Sequence, residues 1–193
     1  MTPIPSGADA AYNAHHIYSG DYHVTNKKNV YIVTILGSCV AACIRDPIAG
    51  VGGMNHFLLP GKDEGAASES ARYGAFAMEK LINELLKAGG RRERLEVKVF
   101  GGSDLIDSAM AIGTANATFV LEYLRKEGMK PLVKDLGGKQ PRRLHYYPLD
   151  GKVMMRKIGG EDDRLIKTLT SRETAYRNTI VKERHDGGDP ELF

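Results

Sequence analysis

Cysteine is scarce: 193 residues contain two, Cys39 and Cys43. Two thiols cannot staple a disulfide-rich secreted scaffold. Long apolar runs are missing too. The longest uncharged apolar stretch, 30–44, has 15 residues and is interrupted by Thr34, Gly37 and Ser38, whereas a spanning helix needs about 20. No membrane insertion is therefore expected. Charge of one sign is not in excess either. Lys and Arg number 27 against 24 Asp and Glu, a net +3, which gives no reason to expect nucleic acid or an anionic membrane as an obligatory partner. The N-terminus has no basic segment followed by an apolar one, so a secretory signal is not visible. A reducing cytoplasm is the expected compartment, and a cysteine there stays a free thiol.

Several standard sites are also lacking. No glycine-rich loop precedes Lys-Ser/Thr at phosphate-loop spacing, Gly50, Gly52 and Gly53 do not complete GxGxxG, and no HExxH occurs. Cys39 and Cys43 have no second ligand pair at zinc spacing. Asn116-Ala117-Thr118 matches a glycosylation sequon that a cytosolic chain does not use.

What is present is a globular composition, 42% hydrophobic and 26% charged, enough to build a core. Residues 1–20 show no period and read as a loose arm. Residues 21–25 alternate as a short strand, and 30–36 is a β-branched run typical of a buried strand. Gly37-Ser38 interrupts that run before 39–44 resumes it. Residues 51–59 read as a further strand, and 61–69 as a surface loop. A helical period covers 70–88, with Phe76, Met78, Leu81, Ile82, Leu85 and Leu86 near one face. A strand at 95–100, a helix at 113–127 and a strand at 131–136 follow. Asp150-Gly151 then joins strands at 144–148 and 152–158 into a hairpin. Residues 160–193 are charge-dense, with Leu165, Leu169, Tyr176 and Ile180 forming one weak helical stripe, and read as a peripheral helix or disordered tail. Strands first, then helices mixed with strands, argue an α+β fold with a largely antiparallel sheet.

Cys39 is the residue with chemical promise. It follows a buried strand directly, after Gly37-Ser38. A turn there can push a side chain out of the sheet while successive N–H groups converge on one spot, which suits a nucleophile beside an oxyanion site. On spacing alone Cys39 reads more readily as a small buried hydrophobe than as a nucleophile, and Cys43, inside the resumed apolar run, more strongly so. A thiol of pKa about 8.5 needs a base to react at neutral pH. Of the six histidines, His56 stands on the strand next in sequence to that of Cys39, where an antiparallel pair would bring the two together. A core histidine bonded to a backbone carbonyl is the competing reading.

These residues resemble a known family. The run Leu36-Gly37-Ser38-Cys39-Val40-Ala41-Ala42-Cys43-Ile44-Arg45-Asp46-Pro47 is similar to the bacterial chemotaxis deamidase family CheD. So are Gly52-Gly53-Met54-Asn55-His56-Phe57-Leu58-Leu59-Pro60, Arg72-Tyr73-Gly74, Lys98-Val99-Phe100-Gly101-Gly102, Ile112-Gly113-Thr114-Ala115-Asn116, Asp135-Leu136-Gly137-Gly138 and Pro141-Arg142-Arg143. The motifs occur in order across about residues 20–158. The resemblance implies a layered α/β sandwich with mostly antiparallel strands, related to cysteine-hydrolase toxins. It divides the chain into an N-terminal arm at 1–20, a deamidase domain at 21–159 and a charged C-terminal tail at 160–193. It implies a protein-glutamine glutaminase, an amidohydrolase that converts receptor glutamines to glutamate with release of ammonia. Cys39 would be the nucleophile, His56 the base and Thr34 the third residue, with no metal or organic cofactor. The implied partners are methyl-accepting chemotaxis receptors as substrate and a CheC-type phosphatase. The same fold could instead serve as a non-catalytic adaptor for either partner, and a cysteine hydrolase of another amide or ester is a further alternative. An enzyme of this kind is expected to show an accessible Cys39 with a thiol pKa below 8.5, at a groove walled by 61–69, with N–H groups around Ser38 and Cys39 serving the oxyanion.

Overall fold

The structure is a computed structural model that describes residues 12–59, 67–105, 111–159 and 163–186. Nine strands and three α-helices occur among them. The strands are β1 (Asn13–His16), β2 (Tyr22–Thr25), β3 (Val30–Leu36), β4 (Val40–Asp46), β5 (Val51–Asn55), β6 (Glu96–Gly101), β7 (Val133–Leu136), β8 (Arg142–Tyr147) and β9 (Lys152–Lys157). The helices are α1 (Ala67–Lys87), α2 (Ile112–Lys126) and α3 (Asp163–Asp186). None of them is long and apolar enough to cross a membrane.

The strands form two sheets, β1-β3-β8-β9 and β2-β5-β4-β6-β7. Only β1/β3 and β6/β7 pair in parallel; the other five pairings are antiparallel. The fold is mixed α+β. Alternation along β4 decides the layering. Val40, Ala42 and Ile44 point to a core shared with Met78, Leu81, Ile82 and Leu85 of α1 and Val120 and Leu124 of α2. Cys39, Ala41 and Cys43 point the other way, toward Ile32, Leu36, Leu144 and Tyr146 of the four-stranded sheet. The five-stranded sheet is thus apolar on both faces, and each fully buried Leu, Ile or Met contributes about 1.5–3 kcal/mol.

Some sequence expectations need amendment. Residues 12–20 are not a loose arm: β1 pairs with β3 and Ile17 is buried. A polar four-residue strand carries no readable period, because its pairing is supplied by an edge distant in sequence. The strand read at 51–59 stops at Asn55. Beyond it His56 N–H donates to Asp21 O at 2.9 Å, and the chain touches β4 again only at the bridge Val40–Phe57. Residues 61–66 of the loop proposed as a groove wall lie outside the described residues, and 67–69 belong to α1. The tail contains α3, whose buried Leu169 and Ile180 and half-buried Tyr176 follow the weak stripe.

Asn116 holds the site to the helices. It is fully buried, accepts the Leu59 N–H at 2.8 Å and donates to Ser38 O at 3.1 Å and Ile112 O at 2.9 Å. Such burial serves packing and not glycosylation. Asn116→Ala would strand a buried N–H and a buried carbonyl at once. We expect a loss of about 2–3 kcal/mol, read as a lower urea midpoint with an unchanged slope.

Candidate active site

Gly37, Ser38 and Cys39 form the connection between β3 and β4. Its carbonyls are clamped from outside: Gly102 N–H donates to Cys39 O at 2.7 Å and Ser103 N–H to Gly37 O at 2.9 Å. The clamp needs a glycine at 101. Its φ is +112°, and a Cβ there would lie 2.2 Å from Cys39 O. With the carbonyls turned to the clamp and to Asn116, the Gly37 and Ser38 N–H groups face the opposite side. This pair is one residue earlier than the N–H groups expected from the sequence.

Register places His56 near Cys39. The pairing Cys43–Met54, continued by the bridge Val40–Phe57, sets His56 opposite Ala41. Ala41 and Cys39 share a face of β4, so His56 and Cys39 are diagonal neighbours across the strand pair. Thr34 comes from the other sheet. Its hydroxyl donates to Ile17 O at 2.8 Å and lies 2.7 Å from His56 Nδ1. With its single proton committed to Ile17, the Thr34 oxygen can only accept from the ring. The neutral imidazole therefore carries its proton on Nδ1 and presents a bare Nε2. Burial lowers the His56 pKa to about 3, so the ring is neutral at pH 7.

Sequence reasoning missed Ser19. Its Oγ stands 3.2 Å from His56 Nε2 and 3.4 Å from Cys39 Sγ. Because Nε2 can only accept, Ser19 donates to it and receives the thiol proton, making a two-step path from sulfur to ring. Ser19 sits in a turn fixed to the site by Gly20 N–H to His56 O at 2.8 Å and by Asp21 N–H to Tyr18 O at 2.9 Å. No period in 1–20 could reveal it, since that turn is placed by β1 pairing with β3.

The expectation of an accessible, ionised sulfur is not met. Cys39 is 0% exposed. Its thiol pKa is raised well above its ordinary value by burial first and then by the negative charge of Glu173, with Ser19 opposing. Burial pushes the Cys43 thiol up as well. Glu173 belongs to α3. One carboxylate oxygen accepts Gly37 N–H at 3.2 Å and Ser38 N–H at 3.1 Å, and the other accepts Ser38 O–H at 2.6 Å. A cavity of about 730 Å3 lies between α3 and β3 and β8, reaching from Arg143 and Tyr31 to Thr34 and His56.

A sulfur, a relay hydroxyl, an oriented imidazole and two convergent N–H groups make a site suited to acyl transfer at an amide or ester. Comparison with known proteins narrows that class. Residues 58–157 match the family described as CheD chemotactic sensory transduction. A Bordetella parapertussis protein named probable chemoreceptor glutamine deamidase CheD is 51% identical over 190 residues, covering 96% of this chain and 90% of that one. A Bordetella petrii protein of the same name is 46% identical over 204 residues, covering 98% and 92%. Among solved structures, a Neisseria meningitidis protein of family DUF152 aligns at a TM-score of 0.42 and 12% identity, over 62% of this chain and 54% of that one. This chain belongs to the CheD family.

Proposed function

We propose that this protein is a cytoplasmic deamidase that hydrolyses glutamine side chains of methyl-accepting chemoreceptors to glutamate, with Cys39 as nucleophile, His56 as base and Thr34 as the residue that orients it. The observation that carries the reading is the continuous path from Cys39 Sγ through Ser19 to an Nε2 left bare by Thr34. The Cys39 proton passes through the Ser19 hydroxyl to His56 as the sulfur attacks the glutamine amide carbon. The carbonyl oxygen, gaining charge, lies against the Gly37 and Ser38 N–H groups. The C–N bond then breaks, His56 gives the proton to the departing ammonia, and a thioester remains. Water, deprotonated by His56, adds to the thioester. Its collapse frees glutamate and returns the thiol. No cofactor enters these steps. A CheC-type phosphatase is the further partner that family membership suggests.

The test is mass spectrometry of a receptor cytoplasmic fragment incubated with the protein. Conversion of particular glutamines to glutamate is expected. Cleaved receptor would instead identify a peptidase. One observation favours the adaptor reading, namely the buried, protonated Cys39. An intact receptor with every glutamine unchanged would support it.

A further inference from the structure

We propose that α3 occupies the substrate-helix groove of its own chain, with Glu173 seated as the side chain of a reaction product, so that the deamidase rests in a self-occluded state. The inference rests on the deamidase reading above and adds its regulation. Three independent features point to it.

The first is chemical identity. Deamidation of glutamine yields glutamate, and the group lying at the Gly37 and Ser38 N–H pair beside Cys39 is a glutamate carboxylate. An oxygen of that carboxylate holds the place where the amide oxygen of a substrate would sit. The fit is close: a Cβ on Gly37 would lie 2.6 Å from Glu173 Oε1.

The second is presentation. Leu169, Glu173, Tyr176 and Ile180 are spaced i, i+4, i+7 and i+11, one face of a helix. A carboxylate in the middle of an inward stripe has no use in packing alone, because burying it costs desolvation. Here that cost is met by the N–H pair and the Ser38 hydroxyl. A helix presenting one glutamine-like side chain between apolar neighbours is therefore the shape this groove accepts.

The third is how lightly α3 is held. Leu169 and Ile180 are the only buried ones among its described side chains. The cavity of about 730 Å3 remains between it and the sheet. Tyr176 adds a hydroxyl contact to Tyr73 of α1. A competing helix can replace such contacts one for one.

The experiment uses the full chain carrying Glu173→Gln, which keeps size and shape. If the residue sits at the reacting position, the enzyme acts on itself. Cys39 Sγ bonds to the introduced side-chain amide carbon, ammonia leaves with the proton from His56, and water releases the carboxylate and restores the thiol. The purified variant should carry glutamate at position 173. The double variant Glu173→Gln/Cys39→Ala should keep glutamine there. A Glu173→Gln protein that deamidates receptor yet retains the introduced glutamine overturns the inference and leaves the deamidase reading intact. A protein that converts neither overturns both. Glu173→Ala gives a second readout. Removing an internal competitor should lower the apparent KM for receptor with kcat unchanged, and should raise Cys39 alkylation on the order of tenfold per unit of thiol pKa recovered. Unchanged KM and unchanged labelling, with the variant folded, mean that Glu173 merely anchors a helix.

Discussion

Cys39→Ala should reduce receptor glutamine conversion by at least ~10^4-fold, because the covalent route has no substitute nucleophile. Ser38 cannot take over. Its hydroxyl is tied up donating to the Glu173 carboxylate at 2.6 Å and has no hydrogen bond to an imidazole among those found in the described residues, and a hydroxyl without such a base is a poor nucleophile at neutral pH. Ser19 also donates to His56 Nε2, but its hydroxyl is a weaker nucleophile than the thiol it would replace. The fold should survive, since exchanging a buried thiol for a methyl costs about 1 kcal/mol. Cys43→Ala is the matched control. Cys43 is as buried as Cys39, shares its face of β4 and touches neither Ser19 nor His56 in any hydrogen bond found among the described residues. It should lose a similar stability and keep its turnover. Receptor mass spectrometry beside thermal melts of the two variants checks both halves. An active, folded Cys39→Ala protein would falsify the mechanism.

His56→Gln should cost about 10^2–10^4-fold in rate, the usual worth of a positioned general base, and should also change the response of stability to acid. The ring's folded-state pKa is lowered to about 3 by burial, whereas in the unfolded chain it stands near 6.5. Between those values the unfolded state binds a proton that the folded state refuses, so stability rises with pH there. The wild type therefore holds its full stability above about pH 6.5 and loses it progressively as pH falls toward 3. Glutamine has no such proton. Across this window the variant's stability should fall less steeply, by up to about 1.4 kcal/mol per pH unit. The lowered His23 is present in both proteins and cancels in the difference. Denaturant melts at intervals from pH 7 to about pH 4 read the slope. Parallel slopes would mean that the ring protonates equally in both states and is not sealed as described.

The two readouts separate catalytic from structural roles. Loss of rate alone would fit a ring that acts only as base. Loss of the acid slope alone would fit a core histidine held by Thr34. The geometry predicts both, because the same burial that keeps the ring neutral leaves Nε2 free to accept a proton from Ser19.

Much of this was legible in the residues. The β-branched run Val30–Leu36, the amphipathic period of α1 and the Asp150-Gly151 hairpin are local signals, and the structure places strands and helices there within a few residues. Cys39 and His56 could be paired from sequence because antiparallel neighbours joined by a short turn have a register that hydrophobic alternation fixes. Glu173 does not stand out in the sequence: the stripe of Leu169, Tyr176 and Ile180 is legible, but a carboxylate in a charge-dense segment carries no local sign that it will meet a loop far away in the chain.

Local pattern and register thus determined the α+β class, the strand that delivers the sulfur and the strand that delivers the ring. Tertiary structure decided the rest. Ser19 reaches the site because β1 pairs in parallel with β3, Thr34 meets His56 because two separate sheets face each other, and Glu173 covers the sulfur because α3 returns to a loop some 135 residues earlier in the chain. Such contacts are set by packing between distant segments, and packing at long range leaves no period in the sequence from which to read it.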